Sequence, residues 1–266
     1  MANAAIPALA VGLCQIWWAH ASAAADPLLA LLADDERGRH AGFLRAQDRA
    51  LFLVSHALAR IVVAHHAGAA PPMVLLGPGT PGAKPGLAGA AAGLELSISH
   101  SGRRAVVALS RGVALGVDVE RVGAGGEDGL VESALDRAER AALASLDPPT
   151  RPWALARYWT RKEAVLKATG HGLAVSPKLI GVSAPTAAPA LTRWTGPGRP
   201  AASIHLYDLD PGLGYAAALA TIAGPLVLTE HDGSAILRSW GRGGTRVARR
   251  AGPRRRTGER PCPCPR

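Results

Sequence analysis

The pattern of hydrophobic and polar positions predicts a long helix early in the chain. Asp34 and Asp35 are suited to a helix start, and hydrophobic residues at helical spacing follow as far as His66. Gly68 is expected to end the helix. The hydrophobic stripe consists of Leu51, Val54, Leu58, Ile61 and Val62. This spacing predicts one helix over residues 34–66, with its apolar face in a core.

The apolar N-terminal segment has two interpretations. Residues 5–14, followed by small residues at 21–25, resemble a secretory signal with its cleavage site. However, no lysine or arginine precedes Arg37, Trp17 and Trp18 interrupt the run, and the apolar stretch is too short to span a bilayer. We favour a buried first strand and expect no membrane association.

Three strands are predicted before the middle of the chain, after a loop. Residues 71–93 are rich in proline, glycine and alanine and carry one charge, Lys84. Residues 94–99 then alternate strictly, residues 105–110 are rich in strand formers, and residues 112–120 begin at a turn.

The second half follows a similar plan with other lengths. Residues 130–146 predict a helix, and Pro152 suits the first turn of another helix that runs to Thr169 and ends at Gly170. Strands are predicted over residues 179–182, 203–209 and 215–222. Because helices are grouped between runs of adjacent strands, the pattern indicates an α+β fold and not alternating βαβ units.

Composition and charge add a third region. The chain has 266 residues and is 48% hydrophobic, which is enough for a core. Its net charge of +10 is concentrated in residues 241–266, where nine arginines and one acid give +8 and leave +2 for the rest. We predict an N-terminal half over residues 1–112, a C-terminal half over residues 113–228, and a disordered tail over residues 229–266.

The tail and the cysteines bear on partners and location. The arginines of the tail could form an arm for nucleic acid or another anionic surface, although a dispensable extension is the favoured reading. Cys262 and Cys264 are too few ligands for a closed zinc site. With three cysteines in all, the chain has no disulfide framework, so we expect a reduced, cytoplasmic protein.

Two acidic residues on one predicted strand are the first candidate site. Asp118 and Glu120 share a face, and Val117 and Val119 point the other way. Carboxylates within about 7 Å of each other repel, and a divalent cation such as Mg²⁺ would offset that repulsion. The alternative is a solvated strand end.

Two further motifs carry candidate chemistry. Ser99 and His100, at the end of the strand over residues 94–99, could donate hydrogen bonds to a phosphate, although a single histidine is also commonly structural. Glu163 and Lys167 lie one turn apart on a predicted helix. They could form an ordinary surface ion pair, or supply a third acid for the metal and a cation for a phosphate.

Taken in order, these motifs resemble those of the Sfp-type 4′-phosphopantetheinyl transferases. The series is Lys84-Pro85, "SISHSG" from Ser97, "GVDVE" from Gly116, and "WTRKEAVLKATGHGL" from Trp159. The resemblance covers roughly residues 14–223. It implies two similar α+β halves with coenzyme A and Mg²⁺ in the cleft between them, in a monomer.

The resemblance also implies an activity and roles for residues. The enzyme would transfer the phosphopantetheine arm of coenzyme A to a serine of an apo acyl or peptidyl carrier protein and release adenosine 3′,5′-bisphosphate. Asp118, Glu120 and Glu163 resemble the Mg²⁺ ligands, and Glu163 or a water that it holds would be the base. The residues that resemble coenzyme A phosphate contacts are Arg39, Lys84, Ser99, His100 and Lys167.

Departures and alternatives remain at this stage. Leu51 stands where family members commonly have an arginine, and Arg49 could substitute for it. One alternative function is a different Mg²⁺-dependent phosphoryl-transfer enzyme that uses the same three acids. The other is a nucleic-acid-binding protein acting through the tail, which the nearly neutral folded part does not favour.

Overall fold

The computed structural model describes residues 5–242, apart from residues 75, 77–86, 88 and 124–126. Lys84, Cys262 and Cys264 therefore lie outside the described residues. The helices and strands of the described part follow in this order: β1 (Leu13–His20), α1 (Asp34–Gly42), α2 (Ala46–Ala67), β2 (Leu94–Ser101), β3 (Arg104–Arg111), β4 (Leu115–Arg121), α3 (Glu127–Ala134), α4 (Arg137–Ala144), α5 (Arg151–Ala168), β5 (Ile180–Val182), β6 (Leu191–Trp194), β7 (Ile204–Leu209), β8 (Tyr215–Ile222), β9 (Val227–Asp232) and α6 (Gly233–Arg242).

The same arrangement of strands occurs twice. In the first sheet, β1 pairs antiparallel with β3, which pairs antiparallel with β2. In the second sheet, β4 pairs antiparallel with β8, which pairs antiparallel with β7. In chain order, the three strands named in each sheet are thus arranged first, third, second, and a long helix, α2 or α5, lies between the first and the second of them. The predicted α+β class and the similarity of the two halves are confirmed.

The chain crosses back to the first sheet at its C-terminal end. Strand β9 lies parallel to β1, so the order of that sheet is β2-β3-β1-β9. Buried Ile236 and Leu237 then anchor α6 in the N-terminal core. The predicted disorder is therefore wrong for residues 229–242, because β9 pairs with β1 and the apolar residues of α6 are buried in the core. Residues 243–266 lie outside the described residues.

Two predicted helices are each split in the structure. The helix predicted over residues 34–66 is interrupted at Phe43–Arg45, where extended backbone lets α1 fold back against α2. The buried carboxylate of Glu36 holds the two together through His56 and Arg60, at 2.8 Å from each. The helix predicted over residues 130–146 is also wrong, because Asp136 leaves the helical conformation and caps α4.

Helix α2 forms the centre of the N-terminal core. Its predicted stripe is buried throughout, and Leu51 is part of it. The helix is long and apolar enough to cross a bilayer by length and composition, but 72% of the window that meets this test is buried inside the protein. Burial against the first sheet accounts for its apolar composition.

Candidate active site

The site lies where the two sheets meet edge to edge. Strand β2 is at the edge of the first sheet and β4 is at the edge of the second, and no backbone ladder joins them. Three serines at alternate positions of β2 bridge the gap instead. We call Ser97, Ser99 and Ser101 the serine row.

Each hydroxyl of the serine row has a different partner on β4. Ser97 Oγ accepts a hydrogen bond from the backbone N–H of Val117 at 3.0 Å. Ser99 Oγ donates to Oδ1 of Asp118 at 2.7 Å, and Ser101 Oγ donates to Oε2 of Glu120 at 2.6 Å. The two carboxylates therefore face the same side of β4, as the sequence predicts, and the first half of the chain supplies one hydrogen-bond donor to each.

Gly116 brings α5 directly against β4. A Cβ atom at this position would lie 2.2 Å from the carbonyl oxygen of Ala164 and 2.4 Å from the backbone nitrogen of Ala168. Both are backbone atoms that cannot move without the helix, so only glycine permits this approach. The short distance is what lets Lys167 reach across the strand.

The ammonium group of Lys167 is held at the seam between the halves. Its Nζ lies 2.7 Å from Oδ1 of Asp118, 3.1 Å from Oγ of Ser99 and 3.2 Å from the carbonyl oxygen of Val117. Lys167 thus pairs across the strand with Asp118 and not along the helix with Glu163, so the surface ion-pair interpretation is wrong.

Glu163 is a buried acid with an unused acceptor. Its side chain is only 8% exposed, and Oε1 has no hydrogen-bond partner. Burial and the negative charge of Asp118 together raise the pKa of Glu163 to about 7, although the charge of Lys167 acts in the opposite direction. The same Asp118 charge acts on a second acid nearby.

Glu120 is also perturbed by its surroundings. Burial and the charge of Asp118 raise the pKa of Glu120 to about 7. Hydrogen bonds from Ser101 and Trp159, together with the charge of Lys167, act in the opposite direction. Asp118, Glu120 and Glu163 therefore interact electrostatically, and one lysine offsets only part of their combined charge.

The donor atoms fit a divalent cation, although the ligand set is not closed. Within the described residues, no three His, Cys, Asp or Glu side chains are gathered closely enough to hold a metal ion. However, Oδ2 of Asp118 and Oε1 of Glu163 are both buried without a protein partner, and a bound cation would offset the cost of burying them. Carboxylates are the ligands that Mg²⁺ prefers. The three-ligand magnesium site stays a prediction.

His100 and Arg39 lie at the N-terminal side of the site. Burial lowers the pKa of His100, and the charges of His56 and Lys167 lower it further, although part of the side chain is exposed. Arg39 is exposed on α1, 3.7 Å from Asp35, and its guanidinium lies 5.3 Å from the centre of the Phe52 ring. Its role in phosphate binding stays a prediction.

The two other cations of the α5 motif do not belong to the site. Arg161 is fully buried and binds Asp208 and the carbonyl oxygens of Ser183, Ala184 and Ala187. Lys162 is fully buried against Glu139. Both hold the C-terminal half together.

A polar cavity of about 320 Å³ adjoins the serine row. It begins beside Ser101 and Glu120, since Gly102 and Arg121 are the next residues on their strands. Two arginines and one acid give it a predominantly basic lining. The lining residues are Arg45, Gln47, Asp48, Gly102 and Arg121.

Sequence reasoning missed several residues that shape this site. Ser97 and Ser101 lie in the quoted motif, and their alternation with Ser99 was the available signal. Gly116 and Trp159 also stand in quoted motifs, but their roles depend on the packing of α5 against β4. Arg49, considered as a substitute for the missing arginine, instead donates to the carbonyl oxygen of Phe43.

Comparison with known protein sequences agrees with the motif assignment. Residues 114–220 match the sequence model of the 4′-phosphopantetheinyl transferase superfamily. The 4′-phosphopantetheinyl transferase HetI of Nostoc sp. is 31% identical over 150 residues, which are 55% of this chain and 63% of that protein. The chain thus aligns with less than two thirds of that relative. The holo-[acyl-carrier-protein] synthase of Thermotoga maritima covers 41% of this chain and 63% of its own, with 22% identity and a TM-score of 0.34.

Proposed function

We propose that the protein modifies carrier proteins with the phosphopantetheine arm of coenzyme A, because residues 114–220 match the sequence model of the 4′-phosphopantetheinyl transferase superfamily. The substrates are coenzyme A and an apo acyl or peptidyl carrier protein, and the products are the holo carrier and adenosine 3′,5′-bisphosphate. Two similar halves in one chain support an Sfp-type monomer.

The observation that carries this proposal is the cluster at the seam. Unpartnered oxygens of Asp118 and Glu163 lie with Lys167 in one electrostatically coupled group. A cation held by Asp118, Glu120 and Glu163 would neutralise the pyrophosphate of coenzyme A. Such a site suits phosphoryl transfer, in which catalysis consists mainly of positioning and charge stabilisation.

The protein side chains then have separable roles. Lys167 stabilises the negative charge that develops on the departing phosphate. The carrier serine oxygen bonds to the β-phosphorus as the bond from that phosphorus to the bridging oxygen breaks. Glu163, whose Oε1 is unpartnered, accepts the serine proton directly or through a water.

The adjoining cavity and His100 supply further contacts for anions. Arg45 and Arg121 line the cavity, and His100 lies close enough to Lys167 for their charges to interact. These groups are proposed to bind the remaining phosphates of coenzyme A or the acidic surface of the carrier.

Intact-mass measurement tests the proposal directly. The protein is incubated with coenzyme A, Mg²⁺ and apo carriers from fatty-acid, polyketide and nonribosomal-peptide systems. We expect at least one carrier to gain one phosphopantetheine group, and a carrier with its acceptor serine replaced by alanine to gain none. Failure to modify any carrier, with the protein folded, would overturn the proposal.

A further inference from the structure

The serine row provides hydrogen-bond acceptors for backbone N–H groups at the edge of β4. An edge strand leaves backbone N–H groups without a sheet partner. Two such groups on β4, those of Val117 and Arg121, donate to Ser97 Oγ at 3.0 Å and to Ser101 Oγ at 3.1 Å. The row therefore joins the two halves through side chains, at the strand that carries the acids.

Ser101 differs from Ser97 because its hydroxyl also donates a hydrogen bond to a carboxylate. A hydroxyl can accept and donate at once, and Ser101 uses both abilities. It accepts from the Arg121 N–H and donates to Oε2 of Glu120 at 2.6 Å. Its two hydrogen bonds thus connect the carboxylate of Glu120 to the backbone of the residue that follows it.

This arrangement constrains one rotatable carboxylate. Glu120 has three side-chain torsions, and charge repulsion from Asp118 would otherwise favour conformations that move it away. A short hydrogen bond to a charged acceptor is among the stronger ones available in proteins. Because Ser101 sits on β2, the opposite half of the molecule supplies one of the hydrogen bonds that hold Glu120, and Trp159 on α5 supplies another.

We propose that Ser101 is a positioning residue that holds the carboxylate of Glu120 in its metal-binding orientation across the seam. The effect of this positioning on catalysis rests on the proposed function. The side chain through which Ser101 would act is Glu120, the one carboxylate to which its hydroxyl donates among the described residues.

Ser97 offers a matched control within the same row. It bridges the same strands and is buried, but it binds a backbone N–H and no carboxylate. Ser97→Ala and Ser101→Ala therefore each remove one bridge between the halves, and only the second releases an acid. Ser101→Thr keeps the hydroxyl and suits a strand position.

Metal affinity is the readout that separates positioning from general stability. Mn²⁺ binding to the full chain is followed by electron paramagnetic resonance, without and with coenzyme A. We expect Ser101→Ala to weaken Mn²⁺ binding about tenfold, and Ser101→Thr and Ser97→Ala to stay within about threefold of the unmodified protein. Thermal unfolding of each variant is measured alongside.

The Mn²⁺ measurements test the positioning role, and the transfer assay tests the proposed function, so failure of one can be told from failure of the other. Unchanged Mn²⁺ affinity in Ser101→Ala, equal losses in Ser97→Ala and Ser101→Ala, or no Mn²⁺ binding by the unmodified protein would each overturn the positioning role. Mn²⁺ binding without phosphopantetheine transfer to any carrier overturns the proposed function alone. In the transfer assay we expect kcat to fall about tenfold in Ser101→Ala while the KM for coenzyme A stays within about twofold.

Discussion

Lys167 Nζ lies 2.7 Å from Oδ1 of Asp118, on a strand that packs beneath its helix, and not beside Glu163 one turn earlier. The pair places a cation at the point where the two halves meet. It also leaves Oε1 of Glu163 unpartnered and buried. The spacing of Glu163 and Lys167 in the sequence suggests an ion pair along one helix. In the fold, Lys167 pairs with Asp118 and Glu163 keeps a free carboxylate oxygen.

Glu163→Gln is expected to separate stability from activity. The substitution removes a buried carboxylate with an unpartnered oxygen, so the melting temperature should stay the same or rise. Carrier modification should fall by at least about a hundredfold, since a proposed base and metal ligand is lost. Melting curves and initial rates test both parts. Glu132→Gln is the control because Glu132 is an exposed acid on α3, and loss of activity in both variants would contradict the assignment.

Lys167→Met should destabilise the protein as well as inactivate it. Asp118, 4% exposed, would lose its ion pair, and breaking such a buried pair costs about 3 kcal/mol. Adding Asp118→Asn should restore part of the lost stability without restoring activity. Urea unfolding of the two single variants and the double variant gives the coupling free energy. A coupling near zero would show that the pair contributes nothing to the fold.

Much of this site could be predicted from the sequence because its residues stand in short motifs on regular elements. Period-two alternation is enough to place Asp118 and Glu120 on one face of β4. The partner of Lys167 could not be predicted, since it depends on the approach of α5 to β4 at Gly116. The partners of Arg161 and Lys162 could not be predicted either, because Asp208 and Glu139 lie 47 and 23 residues away in the sequence.

The fold was predicted well where the period of hydrophobic positions is unbroken. Strands β2, β3 and β8 and helix α5 follow their patterns closely. Breaks inside a helical period are harder to predict. Asp136 and Glu139 form a capping box that starts α4, but the apolar residues around their Asp-x-x-Glu pattern favour one continuous helix. The pairing of β9 with β1 is a contact over more than 200 residues that no local pattern encodes.

Gly116→Ala is expected to reduce both stability and activity. The new methyl group would meet backbone atoms of α5 at 2.2 and 2.4 Å, so the helix must move away from β4. Overpacking of this kind costs about 1–3 kcal/mol. Because Lys167 moves with α5, transfer activity should fall even at temperatures where the variant is folded.

Gly38→Ala is the matched control for that substitution. Gly38 lies on exposed α1, and a Cβ atom there would meet nothing within 4 Å. Alanine in a helix should stabilise by about 0.5–1 kcal/mol and leave transfer rates unchanged. Circular dichroism melts and initial rates measured on both variants test the pair. Equal changes in melting temperature and transfer rate in the two variants would mean that close packing at Gly116 affects neither stability nor activity.

Glu36 is expected to make the protein sensitive to acid. Hydrogen bonds from His56 and the Ala33 N–H, with the charges of His56 and Arg60, outweigh burial and lower the pKa of Glu36 to about 2. Because the folded pKa lies below the unfolded value of about 4.5, the contribution of Glu36 is complete above pH 4.5 and is lost as the pH falls towards 2. The shift corresponds to about 3 kcal/mol. Urea unfolding of the native protein and of Glu36→Gln at pH 7, 4.5 and 3 should show the variant less stable at pH 7, with the difference shrinking at pH 3. A difference that does not change with pH would show that the ionisation of Glu36 is not what joins α1 to α2.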